Sequence, residues 1–362
     1  MLADIDVLGL TLAEYADARR THPQAARSAY GKLMRSGIGA QLPAPTRCAA
    51  HAGVTKFCLP AGPRTTPVLE SESVIIPMHS YRGSNWYTLC VSSQVGCRMG
   101  CTFCETGRMG LLHNLTAGEI VRQRLVARQL MWANGAVPQR TFRYFGDGIQ
   151  NVVFMGMGEP FDNFEALVQA IRVLNEPTGL AMPLTHITVS TVGRIDGLRR
   201  LAALARGGDR DWHNLRLAVS LNAPDDRLRD QLMPINKGMP LAALQAALRE
   251  FPLARRARLL IEYVLIKGVN DSLEHADRVA AWCEPLPCVV NLIPYNPQRD
   301  AAYAPPEGAT MLAFLRRLRT RGIFVKRRVT QGCNVMGACG QLGNPTRAVS
   351  RPTLSISSHH GP

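Results

Sequence analysis

Aromatic residues make up only 6% of this chain, and no run of 18 apolar residues occurs in its 362 positions. The second absence excludes a membrane-spanning helix. Cysteine is sparse as well: ten residues, far below the density of a disulfide-stapled scaffold. The first six residues, Met1–Asp6, carry Asp4 and Asp6 where a secretory leader would carry Lys or Arg, so a reducing, cytoplasmic setting is expected. Negative charge is the scarcer kind. Asp and Glu total 27 against 42 Lys and Arg, a formal net charge of +15 that favours a polyanionic partner such as nucleic acid. No aromatic-rich stacking motif accompanies that charge, so RNA would be recognised by shape and by an extruded base. No internal repeat is visible.

What is present is concentrated in Gly96–Cys104 (GCRMGCTFC), where Cys97, Cys101 and Cys104 are spaced C-x-x-x-C-x-x-C. Three thiolates so placed can hold three irons of a four-iron cluster and leave the fourth iron open, whereas ferredoxins use four cysteines per cluster. An open iron can bind a small molecule and pass it an electron. The spacing also admits a structural zinc with His113 as fourth ligand, although such sites usually pair their cysteines twice. Cys48, Cys58, Cys283 and Cys288 read as apolar filler.

From Tyr87 onward, short apolar runs alternate with helix-periodic segments. Strands are predicted over Thr88–Ser92, Asn151–Met155, His186–Ser190, Leu215–Leu221, Leu259–Ile266, Val289–Ile293 and Ile323–Val329. Helices are predicted over Ala117–Met131, Phe164–Leu174, Arg194–Ala205, Leu241–Phe251, Leu273–Cys283 and Thr310–Arg321, the first entered through a Thr116/Glu119 capping box. Apolar strands alternating with helices predict an α/β fold: a partial (β/α) barrel, open on one side, with the site at the strands' C-terminal ends. Residues 1–75 are expected to form a small N-terminal accessory region with helices at Leu12–Arg20 and Ala25–Arg35, residues 76–343 the barrel, and residues 344–362 a disordered tail.

Read together, the motifs resemble one family. They are TLCVSSQVG at Thr88–Gly96, the cysteine loop, MGMGEP at Met155–Pro160, ITVSTVG at Ile187–Gly193 and SLNAP at Ser220–Pro224. PINK at Pro234–Lys237, EYVLIKGVND at Glu262–Asp271, NLIPYNP at Asn291–Pro297 and ACGQL at Ala338–Leu342 complete the series. The order is that of the RlmN/Cfr group of radical S-adenosylmethionine (SAM) methyltransferases, which methylate adenosine in ribosomal RNA and in some members transfer RNA. The resemblance spans roughly Glu72 to Leu342 and implies the radical-SAM type of partial barrel. It also implies one 4Fe–4S cluster on Cys97, Cys101 and Cys104, SAM as cofactor, and an external electron donor such as flavodoxin or ferredoxin.

Carbons 2 and 8 of adenine are not nucleophilic, and the resemblance implies a route around that obstacle, with carbon 2 favoured over carbon 8. Cys339 of ACGQL would accept a methyl group, and a radical formed on that methyl would add to the ring. Glu72, ahead of the run SVIIP, would take the adduct's proton, with Glu70 two residues earlier as its competitor. Cys90 would release the product and leave a transient Cys90–Cys339 disulfide. Gly158, Glu159, Ser190, Ser220, Leu221, Asn222 and Asn296 fall at the family's SAM-binding positions, although strand-end Ser and Asn also serve plain turn chemistry.

Asn222 replaces a usual His, Glu105 a common Ser, and Gln331–Gly337 (QGCNVMG) an acidic stretch, which marks a divergent subgroup. The acid-free group Arg316, Arg317, Arg319, Arg321, Lys326, Arg327 and Arg328 reads either as an RNA-phosphate contact or as a solvated helix face. Two rival functions stay open at this stage: a radical-SAM enzyme acting on a non-RNA substrate, and a zinc-dependent RNA-binding module. Anaerobic purification should give brown protein with about four irons per chain. Cys97→Ala, Cys101→Ala and Cys104→Ala should each abolish the visible absorbance, and a colourless zinc protein would reverse the reading.

Overall fold

In the computed structural model, residues 6–37, 39–63, 68–80, 83–133, 135, 147–208, 211–298 and 302–343 are described. The first two helices, α1 (Leu12–Ala18) and α2 (Pro23–Ser36), precede three strands: β1 (Arg47–His51), β2 (Val54–Pro60) and β3 (Glu70–His79). Next come β4 (Asn85–Cys90), β5 (Gln94–Cys97), α3 (Glu105–Met109), β6 (Gly110–Asn114) and α4 (Ala117–Ala133). The repeating part runs β7 (Ile149–Phe154), α5 (Phe164–Asn175), β8 (Ile187–Thr191), α6 (Ile195–Arg206) and β9 (Arg216–Ser220). It continues through α7 (Asp226–Leu232), α8 (Leu241–Arg249), β10 (Leu259–Leu265), α9 (Leu273–Cys283), β11 (Cys288–Pro294), α10 (Gly308–Thr320) and β12 (Val325–Arg327).

One sheet carries the order β1-β2-β3-β4-β7-β8-β9-β10-β11-β12, and β5 and β6 form a separate pair. From β4 to β12 every neighbouring pair in that sheet is parallel, the arrangement expected of a half barrel that does not close. All seven strands and six helices predicted for the repeating part are present, with ends shifted by a few residues.

The N-terminal region differs from expectation. Its two helices are there, but β1–β3 extend the main sheet in antiparallel fashion, and the division drawn at residue 75 falls inside β3. The reason is burial. β3 presents five consecutive buried residues, Ser71–Ile75, because one face packs on the core while the other faces the site. The segment 344–362, expected to be disordered, lies outside the described residues. Among the described residues no helix is long and apolar enough to cross a membrane.

Register sorts the side chains into two faces, because partners on adjacent strands point the same way. Leu89, Val152, Phe154, Val189, Leu217, Val219, Ile261, Tyr263, Val290 and Leu292 face the helices and are buried. The concave face carries Cys90, Val153, Thr188, Ser190, Ala218, Ser220, Glu262 and Asn291, linked pair by pair across the strands. Polar groups on that inner face have no apolar layer to meet and line the cleft.

A buried ion pair network ties the accessory helices to the barrel. Arg124 and Arg128 of α4 both donate to Asp147, at 2.7 and 2.6 Å, and Arg128 also donates to the carbonyl of Met34 in α2. Burial alone would raise the Asp147 carboxyl, but the two guanidiniums override it and hold the pKa at about 2. A depressed carboxylate contributes stability above its unfolded pKa and loses it as pH falls through the folded one. Asp147→Asn should therefore cost about 3–5 kcal/mol near neutral pH, since two buried cations lose their partner. Of that difference about 2 kcal/mol should vanish between pH 4 and pH 2, as measured by denaturant unfolding of both proteins.

Candidate active site

The cysteine loop leaves β5 through a forced turn. Gly96 has φ +73°, and a Cβ there would stand 1.9 Å from the carbonyl oxygen of Gly110. The loop then passes through Cys97 and Cys101 and reaches Cys104, which precedes α3. Its walls are apolar: Met99, Phe103, Ala223, Leu232, Met233, Ile266 and Tyr295 surround the thiols. Thr102 N–H donates to Leu232 O at 3.0 Å, fastening the loop to the barrel. Burial and mutual charge push the thiols up, Cys97 to about 12 and Cys101 well above its ordinary value. Backbone N–H groups of Gly107 and Thr106, at the start of α3, offset part of this at Cys104.

The chemistry of these donors fits an iron–sulfur cluster. Three buried thiols that repel one another as thiolates suit a cationic iron core, which would deprotonate them on binding. Among the described residues no three His, Cys, Asp or Glu side chains stand close enough together to hold a metal ion as the chain is arranged here. His113, the fourth zinc ligand considered from spacing, is engaged with Glu119 at 3.2 Å instead.

Glu72 lies on β3, where Val74 two residues on is paired with Cys90, so all three share the inner face. It is 1% exposed. Lys56 donates to its Oε2 at 2.7 Å, the Gly343 N–H donates to the same oxygen at 3.0 Å, and Oε1 has no hydrogen-bond partner. Glu70 is turned outward to Thr46 and Arg47, at 2.5 and 2.6 Å. Of the two, Glu72 is the buried carboxylate, with Arg47 standing 3.7 Å from its Oε1.

Cys339 rides on the segment Ala338–Gly343, which is stitched on three sides. Asn296 Nδ2 donates to the Cys339 carbonyl at 3.0 Å and Gln341 Nε2 to the carbonyl of Pro297 at 2.7 Å. Glu105 N–H donates to Gly340 O at 2.8 Å, and the Gly343 N–H reaches Glu72. Cys339 is accessible to solvent, yet crowded enough that burial raises its thiol pKa, with the Arg328 guanidinium opposing. Cys90 is buried; that burial, together with repulsion from Cys339, pushes its pKa up to about 12. The two thiols are near neighbours in charge as well as in the cleft.

The strand-end candidates lie at or just after the C-terminal ends of β7, β8, β9 and β11. Gly158 has φ +101°, and a Cβ there would stand 2.6 Å from Gln94 Cβ. Glu159 is buried and accepts from the N–H groups of Phe161 (3.0 Å) and Val192 (2.8 Å), while burial lifts its pKa to about 7. Ser190 and Ser220 end β8 and β9 half-buried on the inner face. Leu221 is buried and gives its N–H to Glu262 O. Asn222, at φ +57°, accepts from Val264 N–H at 2.9 Å and turns its amide toward Met233 sulfur. Asn296 holds the Cys339 carbonyl and accepts from Thr330 at 3.0 Å.

Several residues escaped the sequence reading. Arg229 is 1% exposed and donates to the carbonyls of Leu221, Val192 and Ser220 and to Asn236, so one guanidinium fixes the ends of β8 and β9. Lys56 and Arg328 supply the positive charge at Glu72 and Cys339. A buried arginine has no sequence signature apart from a surface one, and only contacts separate them. The basic stretch divides accordingly. Arg317 and Arg321 pair with Asp277 of α9 on the outer layer, whereas Arg328 faces the thiols. Arg316, Arg319, Lys326 and Arg327 of the same stretch are exposed.

An open parallel half barrel with a three-cysteine loop at its mouth defines a radical SAM enzyme, and the sequence profile described as the Radical SAM superfamily matches residues 91–280. The chain is 44% identical over 281 residues to the probable dual-specificity RNA methyltransferase RlmN 1 of Protochlamydia amoebophila, a match covering 78% of this chain and 72% of that protein. It is 41% identical to the probable RNA methyltransferase sce1580 of Sorangium cellulosum, across 96% of this chain and 88% of that protein. The crystal structure of a radical SAM methyltransferase from Sphaerobacter thermophilus matches with a TM-score of 0.77 and 36% identity, covering 92% of this chain and 98% of that one. The chain belongs to the RlmN family of radical SAM RNA methyltransferases.

Gly158→Ala tests the rim. The added methyl meets Gln94 and the backbone must leave a conformation L residues rarely adopt, a strain of about 1–3 kcal/mol. Affinity for SAM should fall by about tenfold or more while iron content stays near that of the unmodified protein. Equilibrium dialysis of the anaerobically reconstituted proteins, with iron analysis, reads both.

Proposed function

We propose that this enzyme methylates carbon 2 of an adenine in large-subunit ribosomal RNA and in transfer RNA, through an S-methylated Cys339 and a transient Cys90–Cys339 disulfide. The observation that carries the proposal is the convergence of Cys339, Cys90 and Glu72 on one inner face, with the Cys339 segment bonded to Glu72 at one end and to the cysteine loop beside it. The words "dual-specificity" in the description of the Protochlamydia relative support two RNA classes. The net charge of +15 supports a polyanionic substrate.

Cys97, Cys101 and Cys104 would hold the 4Fe–4S cluster, and Gly158, Glu159, Ser190, Ser220, Leu221, Asn222 and Asn296 would line the SAM site. Bound there, cluster and SAM supply the methyl group and the radical that activates it, with flavodoxin or ferredoxin as electron source in the cytoplasm. The residues of the chain do the rest. Arg328 favours the Cys339 thiolate as methyl acceptor, against the burial that disfavours it. The adduct carries one unpaired electron, which would return to the bound cluster. Glu72 takes the proton from the adduct carbon through Oε1, with Arg47 3.7 Å from that oxygen and Lys56 steadying the charge on Oε2. Cys90 then attacks the Cys339 sulfur. The S–C bond breaks with its electron pair left on carbon, that carbon takes a proton and becomes the methyl group, and the two sulfurs remain joined.

Cys339→Ala should yield protein that carries no methyl group. Cys90→Ala should accept the methyl group and then stay linked to RNA, seen as a protein–RNA band on denaturing gels. A Cys90→Ala enzyme that turns over normally without such a band would exclude Cys90 from the reaction. Nucleoside mass spectrometry of the product distinguishes 2-methyl- from 8-methyladenosine and ribosomal from transfer RNA.

A further inference from the structure

A third thiol stands beside the two assigned ones. Cys333 begins a single 3-10 turn, Cys333–Val335, between two residues in the left-handed conformation, Gly332 (φ +81°) and Met336 (φ +50°). Its Sγ lies 3.7 Å from Asn296 Oδ1, and the amide of the same Asn296 holds the Cys339 carbonyl at 3.0 Å. One side chain thus binds both cysteines. The segment between them passes over the sheet at Val74, the β3 partner of Cys90: Gly337 would bring a Cβ within 3.5 Å of the Val74 methyls. Charge on Cys339 is felt at both Cys333 and Cys90.

Exposure separates the three. Cys90 is 8% exposed, Cys333 is half-buried and Cys339 is exposed, and next to Cys333 the Asn334 amide bonds to the exposed His51 at 2.7 Å. In Cys90–Cys339 one of the two sulfurs is buried, whereas in Cys333–Cys339 neither is, and exchange needs access to a sulfur along the S–S axis. Glycines 332, 337 and 340, all near Cys333 or Cys339, leave the connecting turn free to reshape.

We propose that Cys333 relays the product disulfide outward: its thiolate attacks the Cys339 sulfur of Cys90–Cys339, giving Cys333–Cys339 and freeing Cys90. This rests on the reading above for Cys90 and Cys339. The exchange forms one S–S bond and breaks one, and the proton lost by Cys333 is balanced by one gained at Cys90, so no oxidant or reductant is consumed. A dithiol reductant from outside then supplies two electrons to Cys333–Cys339, neither of whose sulfurs is buried.

Disulfide mapping tests it. The reconstituted enzyme is given RNA and SAM for a single turnover without dithiol, acid-quenched and alkylated at intervals, and its peptides are identified by mass spectrometry. Cys90–Cys339 should appear first and give way to Cys333–Cys339. In Cys333→Ser the second linkage should be absent, and the steady-state rate with a dithiol protein reductant should fall about fivefold relative to that variant's own first turnover. Mild oxidation by diamide without RNA should also join Cys333 to Cys339 in the unmodified enzyme. Cys90–Cys339 that persists beside a free Cys333, with no steady-state loss in Cys333→Ser, overturns the relay alone. If no Cys90–Cys339 linkage forms at any time, the underlying reading falls, and the relay with it.

Discussion

The site depends on how the chain from Ala338 to Gly343 is anchored. This short piece has no helix or strand and only one internal turn, Gln341 N–H to Ala338 O, so its position comes largely from hydrogen bonds to distant residues and from the burial of Ala338 and Leu342. Asn296 and Pro297 hold it from the end of β11, Glu105 and Thr106 from the start of α3, and Glu72 from β3. Each of these groups is itself fixed by an element of the barrel or its antiparallel extension. Cys339 is therefore placed by three parts of the fold at once, and a displacement of any of them moves the thiol.

Glu72 carries a second duty in that arrangement. A carboxylate 1% exposed is costly unless paired, and here Lys56 and the Gly343 N–H share one oxygen. Lys56 also donates to the Met336 carbonyl at 2.9 Å, so the same cation holds the charge and the segment that leads to Cys339. The antiparallel strands β2 and β3 thus help to hold the segment that carries Cys339. This explains why a region with few chemical residues of its own is continuous with the main sheet.

Charge on the surface divides by location. Arginines on α10 are partly neutralised by Asp277, while Arg124, Arg128 and Arg229 are buried and serve as multiple hydrogen-bond donors. The net +15 already subtracts those acids, so what burial of Arg124, Arg128 and Arg229 changes is where the positive charge lies, not its sum. Counting basic residues along a sequence treats these roles as equal, although desolvated guanidiniums need acceptors and solvated ones do not.

The periodicity of the chain by itself determined the repeating strands and helices, because apolar runs and amphipathic stretches follow from local geometry. The cysteine spacing and the order of the motifs likewise carried the family, since thiols three and four residues apart must share one loop. β1–β3 were hidden in sequence broken by Pro and Gly, where pairing with distant strands rather than local pattern makes the structure. Only the tertiary structure brought Glu72, Cys90 and Cys339 together, separated Glu72 from Glu70, and gave Lys56, Arg229 and Arg328 their roles. These are contacts between residues up to 280 positions apart, and no local rule of the chain encodes them.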